Sequence, residues 1–214
     1  MKTGLLSILV FFFFSIGFLS AQTSSSDGQA FKFNGGFLGG ATLCQIHGDG
    51  VGGFNKIGVN LGGTVEIRNS AKKSLQLSVV YNQKGSRKPP NPQVGDYTTW
   101  SYKFTYIDLP IVLNYRYSTI DFILGLQPSV LISAKENFYG VGFDPTPIPI
   151  KEYDLSAVIG LRTKYGDHSI IVARLTQSII PIAPVPPNDP WVWWDNRMMN
   201  MTFELGVVYF IGRL

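Results

Sequence analysis

The sequence is poor in the residues that usually build metal sites and catalytic centres. It has a single cysteine, Cys44, which excludes an internal disulfide. It has two histidines, and charged residues make up only 15% of the chain. The formal net charge is +4 without basic runs, so we expect no nucleic-acid partner. These shortages make the hydropathy pattern more informative than any single reactive group.

Long apolar runs are also missing beyond the N-terminus. A transmembrane helix needs about 18 to 20 consecutive apolar residues, and no such run occurs after residue 21. The first residues combine Lys2, an apolar run from Leu5 to Leu19, and small residues at Ser20 and Ala21. This pattern is typical of a secretory signal peptide. We therefore expect residues 1–21 to be a signal peptide and residues 22–214 to form one mature domain.

The sequence does contain strict two-residue alternation. In the stretch KIGVNLGGTVEIR, residues 56–68, Ile57 and Leu61 fall on one parity and Asn60 and Glu66 on the other. Such alternation indicates a β-strand whose two faces meet different environments. The pattern recurs in eight stretches of 11 to 13 residues, namely 31–41, 56–68, 74–84, 106–117, 120–132, 153–165, 168–179 and 199–211.

The connections between these stretches alternate in length. Long connections cover residues 42–55, 85–100, 135–152 and 181–196, and the short ones between them cover 69–73, 117–119 and 166–168. Outer-membrane barrels have long extracellular loops and short periplasmic turns. The alternation therefore predicts that both chain ends lie on the periplasmic side.

Strand length and aromatic placement favour lipid on the apolar face. A tilted strand crosses a bilayer in about 9 to 11 residues, whereas ordinary strands have five or six. Tyrosines recur near the ends of the apolar faces, as an aromatic girdle requires: Tyr81, Tyr115, Tyr117, Tyr153, Tyr165 and Tyr209. We predict an all-β fold, an eight-stranded antiparallel up-and-down transmembrane β-barrel with long outer loops and short periplasmic turns.

The polar parity of the predicted strands carries most of their charges. An eight-stranded barrel is just wide enough for its own side chains to fill. Unpaired buried charges are costly, so we expect a paired, hydrogen-bonded network and an occluded lumen. The predicted lumen residues are Lys56, Glu66, Arg68, Lys84, Asp108, Arg116, Asp121, Asp154, Arg162, Lys164, Arg174 and Glu204.

Groups for catalysis or metal binding are few. His47 and Asp49 lie in the first long connection and provide too few ligands for a metal. His168 lies in a short turn beside Asp167, with no nucleophile nearby in the sequence. We predict no catalytic residue, metal or cofactor. A tryptophan-rich stretch either anchors the last strand or forms an outer binding patch, with Trp191, Trp193 and Trp194 as its members.

Three short motifs carry a family resemblance. They are QIHGDGVGGFNKIG (residues 45–58), YNQKGS (residues 81–86) and YIDLP (residues 106–110). In this order and spacing the chain resembles the PorT-like outer-membrane β-barrel family of two-membrane bacteria. The resemblance implies an outer-membrane barrel, and the family's namesake is an accessory of a protein-secretion system. It supplies no catalytic residues.

We therefore expect a non-enzymatic outer-membrane protein with a structural or interaction role, accessory to protein secretion. The expected partners are outer-membrane lipid, the barrel-assembly machinery, and envelope or secretion proteins. Two alternatives remain at this stage. One is a small outer-membrane enzyme acting on lipid or peptide, and the other is a soluble lipocalin-like ligand carrier in the periplasm.

Overall fold

The computed structural model describes residues 31–68, 70–184 and 197–212, all within one compact unit. In these residues the chain forms eleven strands and one short 3-10 turn, Pro92–Val94. The strands are β1 (Lys32–His47), β2 (Lys56–Arg68), β3 (Lys73–Lys88), β4 (Trp100–Asp108), β5 (Ile111–Tyr117), β6 (Ile120–Phe138), β7 (Asp144–Pro145), β8 (Tyr153–Tyr165), β9 (Ser169–Ser178), β10 (Ala183–Pro184) and β11 (Arg197–Phe210).

Within the described ranges, no helix is long and apolar enough to cross a membrane.

Eight antiparallel wall strands close into a ring. In order around the ring they are β1, β2, β3, the joined β4 and β5, β6, β8, β9 and β11. The ring closes where β1 pairs with β11, from Gly36 opposite Phe210 to His47 opposite Met199. The two-residue strands β7 and β10 add to the edges of β6 and β11. The predicted eight-stranded, up-and-down antiparallel barrel is confirmed.

Strands β4 and β5 are two parts of one wall strand. Asp108 lies opposite Val80 and Ile111 lies opposite Leu77, so the register along β3 continues without a shift. The interruption coincides with Pro110, which has no N–H to give to the ladder. Its carbonyl still accepts a hydrogen bond from the N–H of Ser78, at 3.1 Å. The break is therefore local and leaves the wall closed.

The connections sort to the two ends of the barrel as predicted. The short turns 70–72, 118–119 and 166–168 lie at one end, together with the start of β1 and the end of β11. The long connections follow the opposite strand ends. We call these the short-turn end and the long-loop end.

The apolar parity faces outward. Along β2, Ile57 is 68% exposed and Leu61 is 61% exposed, whereas Asn60 and Glu66 between and beyond them are buried. The same alternation holds on the other wall strands up to a row of residues near the long-loop end. Four residues in mutual register form this row on the outer surface, which we call the tyrosine row: Tyr81, Ile107, Val130 and Tyr153.

Four wall strands continue further toward the long-loop end than the sequence predicts. Residues expected in loops extend β1 to His47, β3 to Lys88 and β6 to Phe138, and β4 begins at Trp100. The expectation of loops at these positions was wrong because the alternation changes sign there. Beyond the row, Tyr102 and Phe104 face inward and are buried, while Lys103 between them faces outward. A wall surrounded by water must bury its apolar side chains inside.

A β-bulge in β6 accommodates this change. Thr105 lies opposite Ser133 and Tyr106 opposite Leu131, so Ile132 is the extra residue. Below the bulge the inward positions of β6 are odd-numbered, and above it Ala134 packs inward against the buried aromatic residues. An inserted residue of this kind reverses which side chains face the interior.

The interior is also less uniformly polar than predicted. Nine inward residues form a buried apolar cluster, which we call the apolar layer: Leu38, Val80, Val112, Ile123, Val158, Ile170, Val172, Val208 and Phe210. On β3, β5, β6 and β8 these residues separate the polar positions near the short-turn end from those near the long-loop end. The expected continuous polar filling is therefore divided in two.

Candidate functional site

The buried polar residues on either side of the apolar layer form two networks. We call the first, nearer the short-turn end, the Arg162 network; its charged members are Arg162, Glu66, Asp121, Arg116 and Arg68. We call the second the Lys84 network; its members are Lys84, Asp108, Asp154, Asn82, Gln127, Ser129, Ser178, Asn200 and Tyr106.

Arg162 spans the barrel in the first network. It extends from β8, which lies opposite β2 in the ring. Its two terminal nitrogens donate to both carboxylate oxygens of Glu66, at 2.9 and 3.1 Å, and its Nε donates to Asp121 at 2.9 Å. A bidentate guanidinium–carboxylate pair is strong and geometrically specific. This one side chain therefore connects opposite walls of the barrel.

Further arginines complete the first network near the mouth. Arg116 donates to both oxygens of Asp121, at 2.7 and 3.2 Å, and Arg68 donates to Glu66 at 3.0 Å. Arg68 and Arg116 are half-buried, whereas Arg162 is almost fully buried. Three cations thus meet two carboxylates, and the most deeply placed cation contacts both of them.

The Lys84 network connects two of the motifs noted in the sequence. Lys84 Nζ lies 3.0 Å from Oδ1 of Asp108 and 4.6 Å above the ring of Tyr106. Asn82 donates to Oδ2 of the same aspartate at 2.8 Å. The segments YNQKGS and YIDLP therefore contact each other through their inward side chains on neighbouring strands β3 and β4.

The first motif joins this region through Gly58. A Cβ at Gly58 would collide with the carbonyl oxygen of Gln83, so only glycine allows β3 to approach this closely. The Gln83 carbonyl accepts hydrogen bonds from Thr42 at 3.2 Å and from the Cys44 thiol at 3.4 Å. Cys44 is thus a fully buried, small inward residue.

Asp154 is the other acceptor of the Lys84 network. Its Oδ2 accepts hydrogen bonds from Ser178 at 2.9 Å and from Asn200 at 3.1 Å, and it lies 3.9 Å from Lys84 Nζ. Asn200 also reaches the hydroxyl of Tyr106, at 3.5 Å, across the barrel from β11 to β4. A separate pair, Arg174 and Glu204 at 3.5 Å, joins β9 to β11.

A buried apolar cluster closes the barrel above the Lys84 network. We call it the aromatic cap; it consists of Ile46, Tyr102, Phe104, Tyr106, Ile182, Ala183 and Met198. Ile148 and Ile150, from the connection before β8, pack against it. The N–H of Lys151 donates to the carbonyl of Ile182 at 2.8 Å, which ties two long connections together over the cap.

The structure places the predicted lumen residues at different depths. Eight of the twelve are buried inside the barrel: Glu66, Lys84, Asp108, Asp121, Asp154, Arg162, Arg174 and Glu204. Arg68 and Arg116 are half-buried at the short-turn mouth, and Lys56 is half-buried at the other end. Lys164 also lies on the inward parity. It is exposed because it is the next-to-last residue of β8, where the interior opens to solvent.

The other sequence candidates do not assemble into a site. His47 is exposed, and the nearby Asp49 accepts a hydrogen bond from the N–H of Val51 at 2.9 Å. Nδ1 of His168 lies 3.1 Å from the Phe210 carbonyl. The described residues contain no group of three or more metal-binding side chains. The predicted patch of Trp191, Trp193 and Trp194 lies outside the described residues.

One ion pair stands apart from the barrel interior. In the connection after β3, Lys88 Nζ lies 2.6 Å from Oδ2 of Asp96, and the Thr98 N–H donates to Oδ1 at 2.9 Å. The hydrogen bond from Lys88, followed by those from Thr98, holds the pKa of Asp96 well below its usual range. This pair fastens the long connection to the end of β3.

Sequence reasoning missed the apolar layer and the aromatic cap. The layer leaves one signal in the sequence, which is pairs of adjacent apolar residues inside alternating strands, such as Val79 with Val80 and Val207 with Val208. One member of each pair faces out and the other faces in. The cap has no such local signal, because its members come from strands and connections far apart in the chain.

The arrangement defines a class of protein. A closed barrel with an apolar outer surface and buried charges inside is the arrangement of transmembrane β-barrels. The family model of the outer membrane protein beta-barrel domain matches residues 14–183. The chain belongs to this family, and it is located in the cell outer membrane. The short-turn end is therefore the periplasmic end, and the soluble-carrier alternative is wrong because the apolar face looks outward.

The chain is also similar to several solved structures at low identity. Ail, the attachment invasion locus protein of Yersinia pestis, was solved in complex with the heparin analogue sucrose octasulfate; it is 13% identical, with a TM-score of 0.49, covering 84% of this chain and 99% of that one. Neisserial surface protein A is 11% identical with a TM-score of 0.48, covering 84% and 98%. OprG of Pseudomonas aeruginosa is 13% identical with a TM-score of 0.39, covering 86% and 98%. No curated protein matches the sequence.

Proposed function

We propose that the protein is a sealed, non-enzymatic barrel with a structural or interaction role in the outer membrane. The observation that carries this proposal is the division of the interior into layers. Between the two polar networks lies the apolar layer, and above them lies the aromatic cap. An ion crossing this interior would have to lose its hydration twice, and hydrophobic constrictions close pores in this way.

Barrel size supports the same proposal. Eight strands leave an interior that side chains can fill. Arg162 contacts Glu66 on the opposite wall, and Asn200 reaches Tyr106 on the opposite wall. These side chains leave little free cross-section at two heights. The description of the matched family names a fold and a location and no enzymatic activity.

Conductance tests the sealed barrel. The full-length protein would be reconstituted into planar bilayers and held at potentials of both signs. We expect the leak of a protein-free bilayer, and discrete ion-selective steps would overturn the proposal. A triple variant, Val80→Ser with Ile123→Ser and Val158→Ser, makes the apolar layer polar. Raised conductance in this variant shows that the assay detects a path through the barrel.

For the physiological role, we propose that the protein is PorT-like and accessory to protein secretion. The three motifs that carry this resemblance contact one another at Gly58, Lys84 and Asp108, which supports treating them as one structural unit rather than as chance matches. The expected partners are envelope or secretion proteins bound by the outer loops, with insertion by the barrel-assembly machinery. The tryptophans 191, 193 and 194 stay a predicted binding patch.

Secretion is tested in the source cell. Deleting the gene should reduce the proteins released into the medium, and the wild-type gene should restore them. A second complementing gene carries alanine at Trp191, Trp193 and Trp194, with folding checked by heat-modifiable gel mobility. Unchanged release after deletion would overturn the secretion role. Full restoration by the alanine variant would overturn the binding patch alone.

The domain boundaries are part of the proposal. Residues 1–21 are removed on export, and residues 22–214 form the barrel domain of the mature protein. Mass spectrometry of the protein purified from outer membranes tests this. A first residue other than Gln22 would move the boundary, and an intact Met1 would exclude cleavage.

A further inference from the structure

The outer surface just above the tyrosine row carries a cluster of cations. Lys103 on β4 lies directly opposite Lys135 on β6. Arg87 on β3 lies opposite Ser101, two residues along β4 from Lys103, and it faces outward. Like charges placed directly opposite each other on antiparallel strands are destabilising. The cluster therefore has an unfavourable electrostatic energy by itself.

Lys56 extends the cluster onto β2: it lies on the inward parity opposite Cys44, but as the first residue of the strand its side chain borders the outer cleft. Lys56 and Arg87 line one cleft of about 380 Å³, together with Trp100 and Phe143. The cleft lies where the wall is incompletely paired, because the β2–β3 ladder ends at Asn60 opposite Asn82 although both strands continue. Cationic and aromatic side chains thus share a concave site on the flank of the barrel.

No carboxylate in the described ranges forms an ion pair with any of these four cations. Lys56 Nζ donates to the carbonyl of Ile57 at 2.9 Å, and Lys103 Nζ lies 5.7 Å above the Phe143 ring. By contrast, the neighbouring Lys88 is paired with Asp96. The flank therefore keeps its positive charge while the loop beside it is neutralised.

The height of the cluster matches the headgroup region of the outer leaflet. Lys103 lies four residues above Ile107 of the tyrosine row, which is roughly 10 Å once strand tilt is allowed for. Below it the outward side chains are apolar, as at Val130 and Leu126 on β6. Lysine and arginine near a membrane interface extend toward charged headgroups. An occupant of this surface thus meets apolar residues at one end and cations at the other.

We propose that Lys56, Arg87, Lys103 and Lys135 bind the phosphate groups of a phosphorylated glycolipid of the outer leaflet. Its acyl chains lie along the apolar outer surface of β2 and β3, and its phosphates neutralise the opposed lysines. The charge complementarity, the amphiphilic order of the surface and the cleft between two unpaired strand edges all suit this occupant. The site depends on the membrane location and not on whether the barrel is sealed.

Native mass spectrometry of lipid retention tests the site. The full-length protein would be placed in phosphatidylcholine nanodiscs containing bisphosphorylated lipid A, its phosphate-free form, or no glycolipid. We expect retention of the bisphosphorylated lipid only, and less retention at high salt. The double variant Lys103→Gln with Lys135→Gln should weaken retention at least about tenfold, and adding Arg87→Gln should weaken it further.

The controls separate charge in general from this site. The variant Lys72→Gln with Lys73→Gln removes two exposed lysines at the periplasmic end and should retain lipid like the wild type. Heat-modifiable mobility checks that every variant is folded. Equal retention of the phosphate-free lipid, or undiminished retention by the triple variant, would overturn the proposal. Binding of inorganic phosphate without lipid retention would also overturn it, because the occupant would then be a free anion.

Discussion

The barrel wall has two parts whose apolar sides face in opposite directions. We call the wall between the short-turn end and the tyrosine row the membrane part, and the stretch beyond the row on β3, β4 and β6 (residues 82–88, 100–106 and 131–138) the outer extension. In the membrane part, Phe122 points outward and is 51% exposed in the protein. In the outer extension, Phe104 points inward and is completely buried. Both residues belong to the continuous wall formed by β4, β5 and β6. The difference shows that the surroundings of the wall, lipid in one part and water in the other, decide which face is apolar.

On two strands, a local irregularity of the backbone accompanies the transition between the parts. In β6 the extra residue Ile132 shifts the alternation by one position. In β3, Gly85 has a φ of 141°, and a Cβ there would collide with the Tyr102 carbonyl. Bulges and glycines are the usual means by which strands bend and redirect side chains. The wall can therefore pass from lipid to water without losing its interstrand hydrogen bonds.

The largest effect should come from removing the cation that spans the membrane part. Arg162→Ala leaves Glu66 and Asp121 without their deepest partner. We expect the free energy of unfolding to fall by about 3–5 kcal/mol, as for other broken buried ion pairs. Urea titration of the folded gel band in detergent measures it. Lys72→Ala, which removes an exposed cation at the short-turn end, is the control and should change the unfolding free energy by about 0.5 kcal/mol or less.

The phenylalanines of the two parts give the next comparison. Phe104→Ala creates a cavity in the aromatic cap and should cost about 3–5 kcal/mol of unfolding free energy. Phe122→Ala should cost about 2 kcal/mol, because lipid or detergent refills the space and only the transfer free energy is lost. The same urea titration measures both. Equal costs would mean that the outer extension is not a packed, water-surrounded core.

A charge added to the outer surface should be costly in the membrane part and tolerated in the outer extension. Leu124→Arg places a cation on the lipid-facing surface, where Leu124 is 63% exposed, and should cost about 2–4 kcal/mol. Ser133→Arg lies beyond the tyrosine row and should change the unfolding free energy by about 0.5 kcal/mol or less. A large loss at residue 133 would place the membrane boundary higher than the row.

The smallest effect concerns the outer connection alone. The pKa of Asp96 is lowered chiefly by Lys88, so the ion pair should persist at ordinary pH and break only as pH falls through the lowered pKa. Carbon NMR titration of the Asp96 carboxyl should give a midpoint below the usual value of about 3.9. Lys88→Ala should raise the midpoint. An ordinary midpoint in the wild type would mean that this pair does not form in solution.

Much of the membrane part was predictable because its signal is local. Leu61 and Val65 alternate with Asn60 and Glu66, and the period of two needs no knowledge of partners. The outer extension was not predictable from the same rule. Residues 100–105 also alternate, but their apolar members face inward, and alternation alone does not say which side meets lipid.

The sequence by itself determined the number of wall strands, their antiparallel order and the outward direction of the apolar face, since these follow from alternation, connection length and the cost of exposing apolar residues to water. Only the tertiary structure decided which charges pair. Arg162 and Glu66 are separated by 96 residues in the chain, and they meet because ring closure places β8 opposite β2. Distances across a closed barrel depend on strand register and tilt, and these are properties of the whole ring.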